Sequence, residues 1–330
     1  MAFERISIIG VGLIGGSLGL ALRRIGFAGE IVGVSRDETI AQAVAIGAVD
    51  RGVDYEHLAD GVGQADLVFV CSPIQHIIDT LPAIMRAVAP GALVTDVGST
   101  KRRIGEAARS IGRTDAFFMG GHPMAGSEKS GVTAADPFLF QNAIYILVPN
   151  SGVPQPLHHD LRDLIRSVGA RVLELTADTH DNVVAAISHL PQLLATCLVE
   201  MVGHLDEASD EKAFLTLAAG GFRDMTRIAS SPFAPVWRDI CATNPDRIRA
   251  MVEKYQQALS RLADSVGADD LATSFAFANQ VRDGIPRDTK GFIHRLSEVL
   301  VVCEDKPGVI AEIATAMAEE GVNINDIEVV

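Results

Sequence analysis

Residues 6–22 read ISIIGVGLIGGSLGLAL, and the fold turns on how they are taken. The opening ISII is a short apolar strand pattern. Gly10, Gly12 and Gly15 follow it as GxGxxG, and SLGLAL continues with helical character. A lone GxGxxG says little, but one that follows a strand and opens a helix has the context of a dinucleotide-binding loop. Gly10 permits the tight turn, Gly12 lets the backbone approach a pyrophosphate, and Gly15 lets helix and strand pack closely. The amides at the helix start, around Leu13 and Ile14, then face the phosphates. The same 17 residues carry no charge and could pass for a signal segment or short membrane span. Five glycines and two serines within them argue against a stable spanning helix, and Arg23 and Arg24 follow at once.

Working outward, short apolar runs recur at RISIIG, EIVGVS, ADLVFVC, GALVTDV, DAFFMGG, AIYILVP and ARVLELT. Helix-like stretches lie between most of them, for example residues 17–25 and 38–46. Apolar strands alternating with helices predict a parallel sheet covered on both faces, an α/β Rossmann-type domain over 1–176. From residue 178 to about 278 no convincing strand remains. HDNVVAAISHLPQLLATCLVEMVGHL has helical apolar spacing with Pro191 as a kink. PDRIRAMVEKYQQALSRLADSVG sets Ile248, Met251, Val252, Tyr255, Leu259 and Leu262 in one stripe. These predict an all-α domain over 177–288, with VRDGIPRDTKG as a linker. Its apolar surface exceeds what a bundle of its size covers alone. The tail, 297–330, reads strand, helix, strand and resembles the first half of an ACT regulatory domain through DKPGVIAEIA and GVNINDIEV, a partial α+β βαβ unit.

The chain has 330 residues, long enough for two or three domains, and 48% hydrophobic content, enough for substantial cores. Acidic residues outnumber basic ones 42 to 28, for a net charge of −14. A nucleic-acid or anionic-membrane surface is therefore not expected, and any anionic ligand must be met by local donors. The four cysteines, at 71, 197, 241 and 303, have no CxxC spacing. That excludes zinc-ribbon motifs, predicts no metal site, and fits a reduced, cytoplasmic setting.

The end of the second strand selects the nucleotide. An acidic residue there serves NAD, whereas an arginine can pair with the 2′-phosphate of NADP. This chain has Ser35 and Arg36, then Asp37. NADP+ is favoured from Ser35 and Arg36, and NAD+ stays open through Asp37. In VFVCSPIQHI, Cys71, Ser72 and Pro73 form a turn that borders a cofactor in such sheets, with Ser72 as a helix cap and Pro73 at the first helical position. His76 reads as a packing or solvated residue.

Further polar groups cluster in TDVGSTK, GGHPMAGSEKSG, DNVVAAISHLPQ and AAGGFRDMTRIA. The first two follow strand C-termini, where ligands sit in open α/β sheets. Singly each has a bland reading: His122 as a satisfied loop histidine, Ser188 and His189 as ordinary helix residues, Asp224 and Arg227 as a surface ion pair at i, i+3. Together, GVGLIGGSLGLAL, DVGSTK, GGHPMAGSEKSG, ISHLPQ and GGFRDMTRIA resemble the prephenate/arogenate dehydrogenases of tyrosine biosynthesis, in order from about residue 5 to 285.

The resemblance implies an oxidative decarboxylation of prephenate or arogenate, with hydride passing to NADP+ or NAD+. By similarity His122 removes the C4 hydroxyl proton, with Pro123 restricting its backbone. Ser99 would hydrogen-bond His122 or that hydroxyl and lie near the nicotinamide. Arg227 would bind a substrate carboxylate, Asp224 would hold Arg227, and His189 would contact the substrate side chain. Ser127 and Glu128 would contact the substrate, with Glu128 and Lys129 where the family closes its active-site entrance. The family pairs two helical domains, so a homodimer is implied. Gln192 stands where the family often has a second histidine, and only half an ACT unit is present. Two other readings share the overall plan: a β-hydroxyacid dehydrogenase or pyrroline-carboxylate reductase type, and a non-enzymatic dinucleotide or amino-acid sensor.

Overall fold

A computed structural model describes residues 3–126, 129–267, 271–285, 299, 301–303, 306–322 and 324. The first half alternates β1 (Arg5–Ile9), α1 (Leu13–Arg24), β2 (Glu30–Val34), α2 (Asp37–Ala45), β3 (Arg51–Val53), α3 (Leu58–Val62), β4 (Leu67–Val70), α4 (Ile74–Ala87), β5 (Leu93–Asp96), α5 (Arg102–Ser110), β6 (Phe117–Pro123), β7 (Ile144–Val148), α6 (Gln155–Ser167) and β8 (Arg171–Glu174). Among the described residues these strands form one eight-stranded sheet in the order β3-β2-β1-β4-β5-β6-β7-β8. The order reverses between β1 and β4, which opens a crevice at their C-terminal ends.

The alternation of strand side chains divides the core between the two sheet faces. Ile6 and Ile8 of β1 pack in one cluster with Leu18 and Leu22 of α1 and Leu161 of α6. Ile9 points the other way, into a cluster with Ile77 and Leu81 of α4. That second cluster also takes in Ala185, Ile240, Ile248 and Met251 from the chain beyond the sheet. The helical half therefore docks on one sheet face, and its docking places a seam beside the strand C-termini.

Two features depart from the expected parallel sheet. β3 is an additional short edge strand, too brief and too exposed to show an apolar run. β7 runs antiparallel to β6, with His122 opposite Ile146. Among the described residues the link between them holds a 3₁₀ turn, Val132–Ala134, and no crossover helix that would return the chain to the parallel direction. That pairing also carries β6 through Gly120, Gly121, His122 and Pro123, so His122 stands in a strand rather than in the expected loop.

From residue 177 the chain is helical: α7 (Ala177–Val184), a π-helical segment Ala185–His189, α8 (Leu190–Ala208), α9 (Ala213–Thr216), α10 (Gly220–Thr226), a 3₁₀ turn Arg227–Ser230, a second π segment Phe233–Trp237, α11 (Arg238–Thr243), α12 (Pro245–Asp264) and α13 (Leu271–Gly284). Thr176 caps α7 by accepting from the Thr179 amide at 3.1 Å. Proline at 191 lacks the amide that would bond residue 187, and the backbone widens into a π turn just before it. In the tail, α14 (Val309–Glu319) is present. Val301–Cys303 are not in a strand as expected, because no ladder includes them among the described residues. The final strand of the tail reading lies outside the described residues beyond 324.

Candidate active site

The glycine loop has the shape of a pyrophosphate cradle. Gly10 sits at φ 84°, and a side chain there would meet the Cys71 carbonyl at 2.6 Å and Ser72 Oγ at 2.8 Å. A Cβ on Gly15 would lie 2.3 Å from the Gly10 carbonyl. At Gly12, by contrast, a Cβ would enter open space, the approach a phosphate needs. α1 opens there with the amides of Leu13 and Ile14, and no acidic residue stands in its first turn to compete for them. Ser72 Oγ is buried without a hydrogen-bond partner and borders the same loop. The donor set fits a dinucleotide. Ser72 does not cap α4 as expected: Pro73 holds the extended N-cap position, one place before the helix. Ser35 is buried at the end of β2, and Arg36 is exposed as the N-cap of α2 with Asp37 next. Among the described residues Arg36 makes no ion pair.

A second space, about 240 Å³, lies at the seam. Ser99, His122, Pro123, Met124 and Ala125 line it from the sheet half, and Val184, Ser188, His189, Val236, Trp237 and Ile240 line it from the helical half. The π segment ahead of Pro191 carries Ser188 and His189, and such segments often mark functional sites. His189 is buried, its Nδ1 has no hydrogen-bond partner, and its ring meets Trp237 edge-on at 6.2 Å. Burial lowers its pKa to about 4, outweighing the nearby Asp181 carboxylate.

Behind His122 runs a buried hydrogen-bonded chain. His122 Nδ1 lies 2.8 Å from His180 Nε2, and His180 Nδ1 lies 2.8 Å from Asp181 Oδ1. Asp181 is held by the amides of Lys101 at 2.7 Å and Arg102 at 2.9 Å. The donor–acceptor order assigns both tautomers. A carboxylate only accepts, so His180 Nδ1 carries its proton and Nε2 is left to accept from His122 Nδ1. His122 Nε2 is then the unprotonated nitrogen. Burial first, and then His180, Lys101 and His189, hold the His122 pKa well below its usual 6.5.

Residues 18–174 match the family "Prephenate dehydrogenase, nucleotide-binding domain", 176–277 match "Prephenate dehydrogenase, dimerization domain", and 297–330 match "ACT domain". Prephenate dehydrogenase of Bacillus subtilis (strain 168) is 35% identical over 99% of this chain and 88% of its own length. The chain belongs to the prephenate dehydrogenase family.

Crystal structures of other proteins show the same architecture. Prephenate dehydrogenase from Aquifex aeolicus, in complex with hydroxyphenyl propionate and NAD+, matches with a TM-score of 0.77 and 30% identity over 86% of this chain and 99% of its own. Synechocystis arogenate dehydrogenase matches at 0.74 and 31%, over 85% and 99%. As a member of the prephenate dehydrogenase family the chain is an NAD(P)-dependent enzyme, and the sensor and other-reductase readings give way.

Of the residues singled out in the sequence, Ser99, His122 and His189 meet around the cavity. Among the described residues Ser99 makes no hydrogen bond to His122. Asp224 and Arg227 are both exposed, outside the cavity lining, and no ion pair joins them. α10 ends at Thr226 and a 3₁₀ turn, Arg227–Ser230, follows it. Gln192 is buried against Thr196 and does not line the cavity. Ser127 and Glu128 lie outside the described residues. His180, Asp181 and Trp237 were missed. The adjacent His-Asp pair and the single tryptophan of the chain were the signals available.

Proposed function

We propose that this prephenate dehydrogenase family member oxidatively decarboxylates prephenate, or arogenate in its place, with His122 as the base that takes the C4 hydroxyl proton. One observation carries the assignment of the base. His122 walls the seam cavity with Nδ1 committed to His180, and Asp181 orders the donors so that Nε2 is free to accept. A neutral imidazole at working pH suits that task.

Loss of hydride from C4 turns the hydroxyl into a carbonyl-like oxygen, carbon dioxide leaves C1, and the ring becomes aromatic. NADP+ or NAD+ would supply the hydride acceptor, and the Gly10–Gly15 loop would hold its pyrophosphate with Cys71, Ser72 and Pro73 beside it. Ser99 donates to or accepts from the C4 oxygen and keeps it within reach of His122. The positive charge His122 acquires is spread over His180 and met by Asp181, much as an orienting carboxylate serves a catalytic histidine elsewhere. His189, neutral and with Nδ1 unpaired, meets the substrate side chain. Arg227, exposed on the turn that packs on α8, is the carboxylate anchor in this reading. Aromatisation favours the reaction by itself, so the protein's task is alignment and one proton.

Arg36, exposed and unpaired beside the loop, favours NADP+, with Asp37 as the handle for NAD+. Residues 1–176 hold the cofactor, 177–288 close the substrate site and pair two copies, and 297–330 form the ACT-type part. A reducing cytoplasmic setting fits four free cysteines. Purified protein mixed with NADP+ or NAD+ and with prephenate or arogenate is expected to produce reduced cofactor, fastest with NADP+. Absence of turnover in all four mixtures sinks the reading, and the same four rates decide cofactor and substrate.

A further inference from the structure

A buried ion pair that does not line the seam cavity lies beside the strand carrying His122. Lys101 and Asp96 are both almost wholly buried, and the Lys101 ammonium contacts Asp96 Oδ2. Replacing such a pair with packed hydrophobic groups often leaves stability unchanged or improved, so stability alone does not account for it. Its other contacts do. β5 and β6 pair only as far as Thr95 opposite Met119. Beyond that point Gly121 has β7 on one side and, among the described residues, no strand on the other. Asp96 Oδ1 accepts from the Gly121 amide at 3.2 Å, and Lys101 Nζ donates to the Gly121 carbonyl at 2.5 Å. Both backbone groups of the residue preceding His122 are thus taken by the pair in place of a strand.

The same two residues reach the other parts of the site. Asp96 Oδ2 also accepts from the Gly98 amide at 2.8 Å, which shapes the turn presenting Ser99. The Lys101 amide holds Asp181, the far end of the chain behind His122. A Cβ at Gly121 would lie 2.6 Å from the Asp96 carbonyl and 3.1 Å from Thr95 Oγ1, so strand and turn are pressed together here.

We propose that the Asp96–Lys101 pair is the positioning device of this site, fixing the Ser99 turn against the His122 strand and locking the Gly121 peptide that aims the imidazole. The proposal rests on His122 being the base. The groups facing His122 are His180 and Asp181 from α7, His189 from the π segment, Lys101 from the start of α5 and Asp96 from β5. The Lys101 ammonium opposes an imidazolium at His122, and Asp96 on its own would favour one.

Lys101→Met tests it. Cofactor binding, measured by fluorescence, is expected to stay within about threefold, since the glycine loop is untouched. kcat is expected to fall by about 100-fold, the scale of a misplaced reacting group. The acid limb of kcat/KM against pH is expected to rise by about one unit, because a cation is lost and Asp96 is left uncompensated. In the double variant Asp96→Asn, Lys101→Met no net charge is left behind. Its acid limb falls back below that of Lys101→Met while kcat stays low, because methionine cannot donate to the Gly121 carbonyl. An unmoved acid limb in Lys101→Met, or a parental kcat in the double variant, overturns the proposal. If Lys101→Met does not fold, the double variant decides, and a kcat within about twofold of the parent overturns it. His122→Asn in the same assays separates the two ideas: parental kcat there removes the base assignment itself.

Discussion

His189 stays uncharged in the folded protein because burial outweighs the Asp181 carboxylate, and that has a consequence for stability. An unfolded histidine titrates near 6.5, whereas folded His189 titrates at about 4. Between those values the unfolded chain binds a proton that the folded chain refuses. The contribution is therefore complete above about pH 6.5 and is lost as pH falls towards 4, at a cost of about 2 kcal/mol between pH 7 and pH 5. Urea unfolding at both pH values is expected to show that loss, and His189→Gln to reduce it by a similar amount. An unchanged pH dependence in the variant would remove His189 as its source. At this scale the sequence showed the polar ends of the site but not their support. Ser99, His122 and His189 stand in quotable motifs. His180 bonds a residue 58 positions away, and nothing local to THDN distinguishes that contact from a solvated helix start.

The elements that carry those residues were legible in proportion to their periodicity. β1, β2, β4 and β5 are continuous apolar runs and stood out. β3 has three residues and gains its place from pairing with β2, which no local pattern reports. The direction of β7 depended on a link without a crossover helix, and that too is tertiary information. Pro191 predicts a kink, and the structure resolves the kink as a π turn over Ala185–His189. The extra residue in that turn changes which side chains face the cavity. Pro191→Ala restores the missing amide, so the helix is expected to regularise and turn Ser188 and His189 away by about 100° per residue of register. Stability should hold or rise slightly while kcat/KM falls by about tenfold or more. Thermal melts and steady-state rates on one preparation check this, and a variant with parental kcat/KM would show that the π turn does not set the site.

The molecule as a whole leaves its helical half incompletely covered. Ala177–Ala208 is a continuous helical run long and apolar enough to cross a membrane by length and composition, yet only 28% of its most apolar window is buried within one chain. Met201 and Leu205 of α8 are exposed, as are Leu259 and Leu262 of α12, the lower part of the stripe visible in the sequence. Apolar faces of that extent on an enzyme half matching a dimerization domain call for a second copy. Each copy carries a net charge of −14, so association works against repulsion that salt screens. A stable dimer must then bury on the order of 1,000 Å² or more, with apolar contact at its centre. Met201 and Leu205 stand four apart and share one face of α8. Introducing Met201→Glu and Leu205→Glu together places two carboxylates per copy on that face. Light scattering of the parent is expected to give a dimer that tightens with salt, and the double variant a monomer with its Rossmann half folded and still binding cofactor. A double variant that stays dimeric would place the interface elsewhere on the helical half, on α12 or α13.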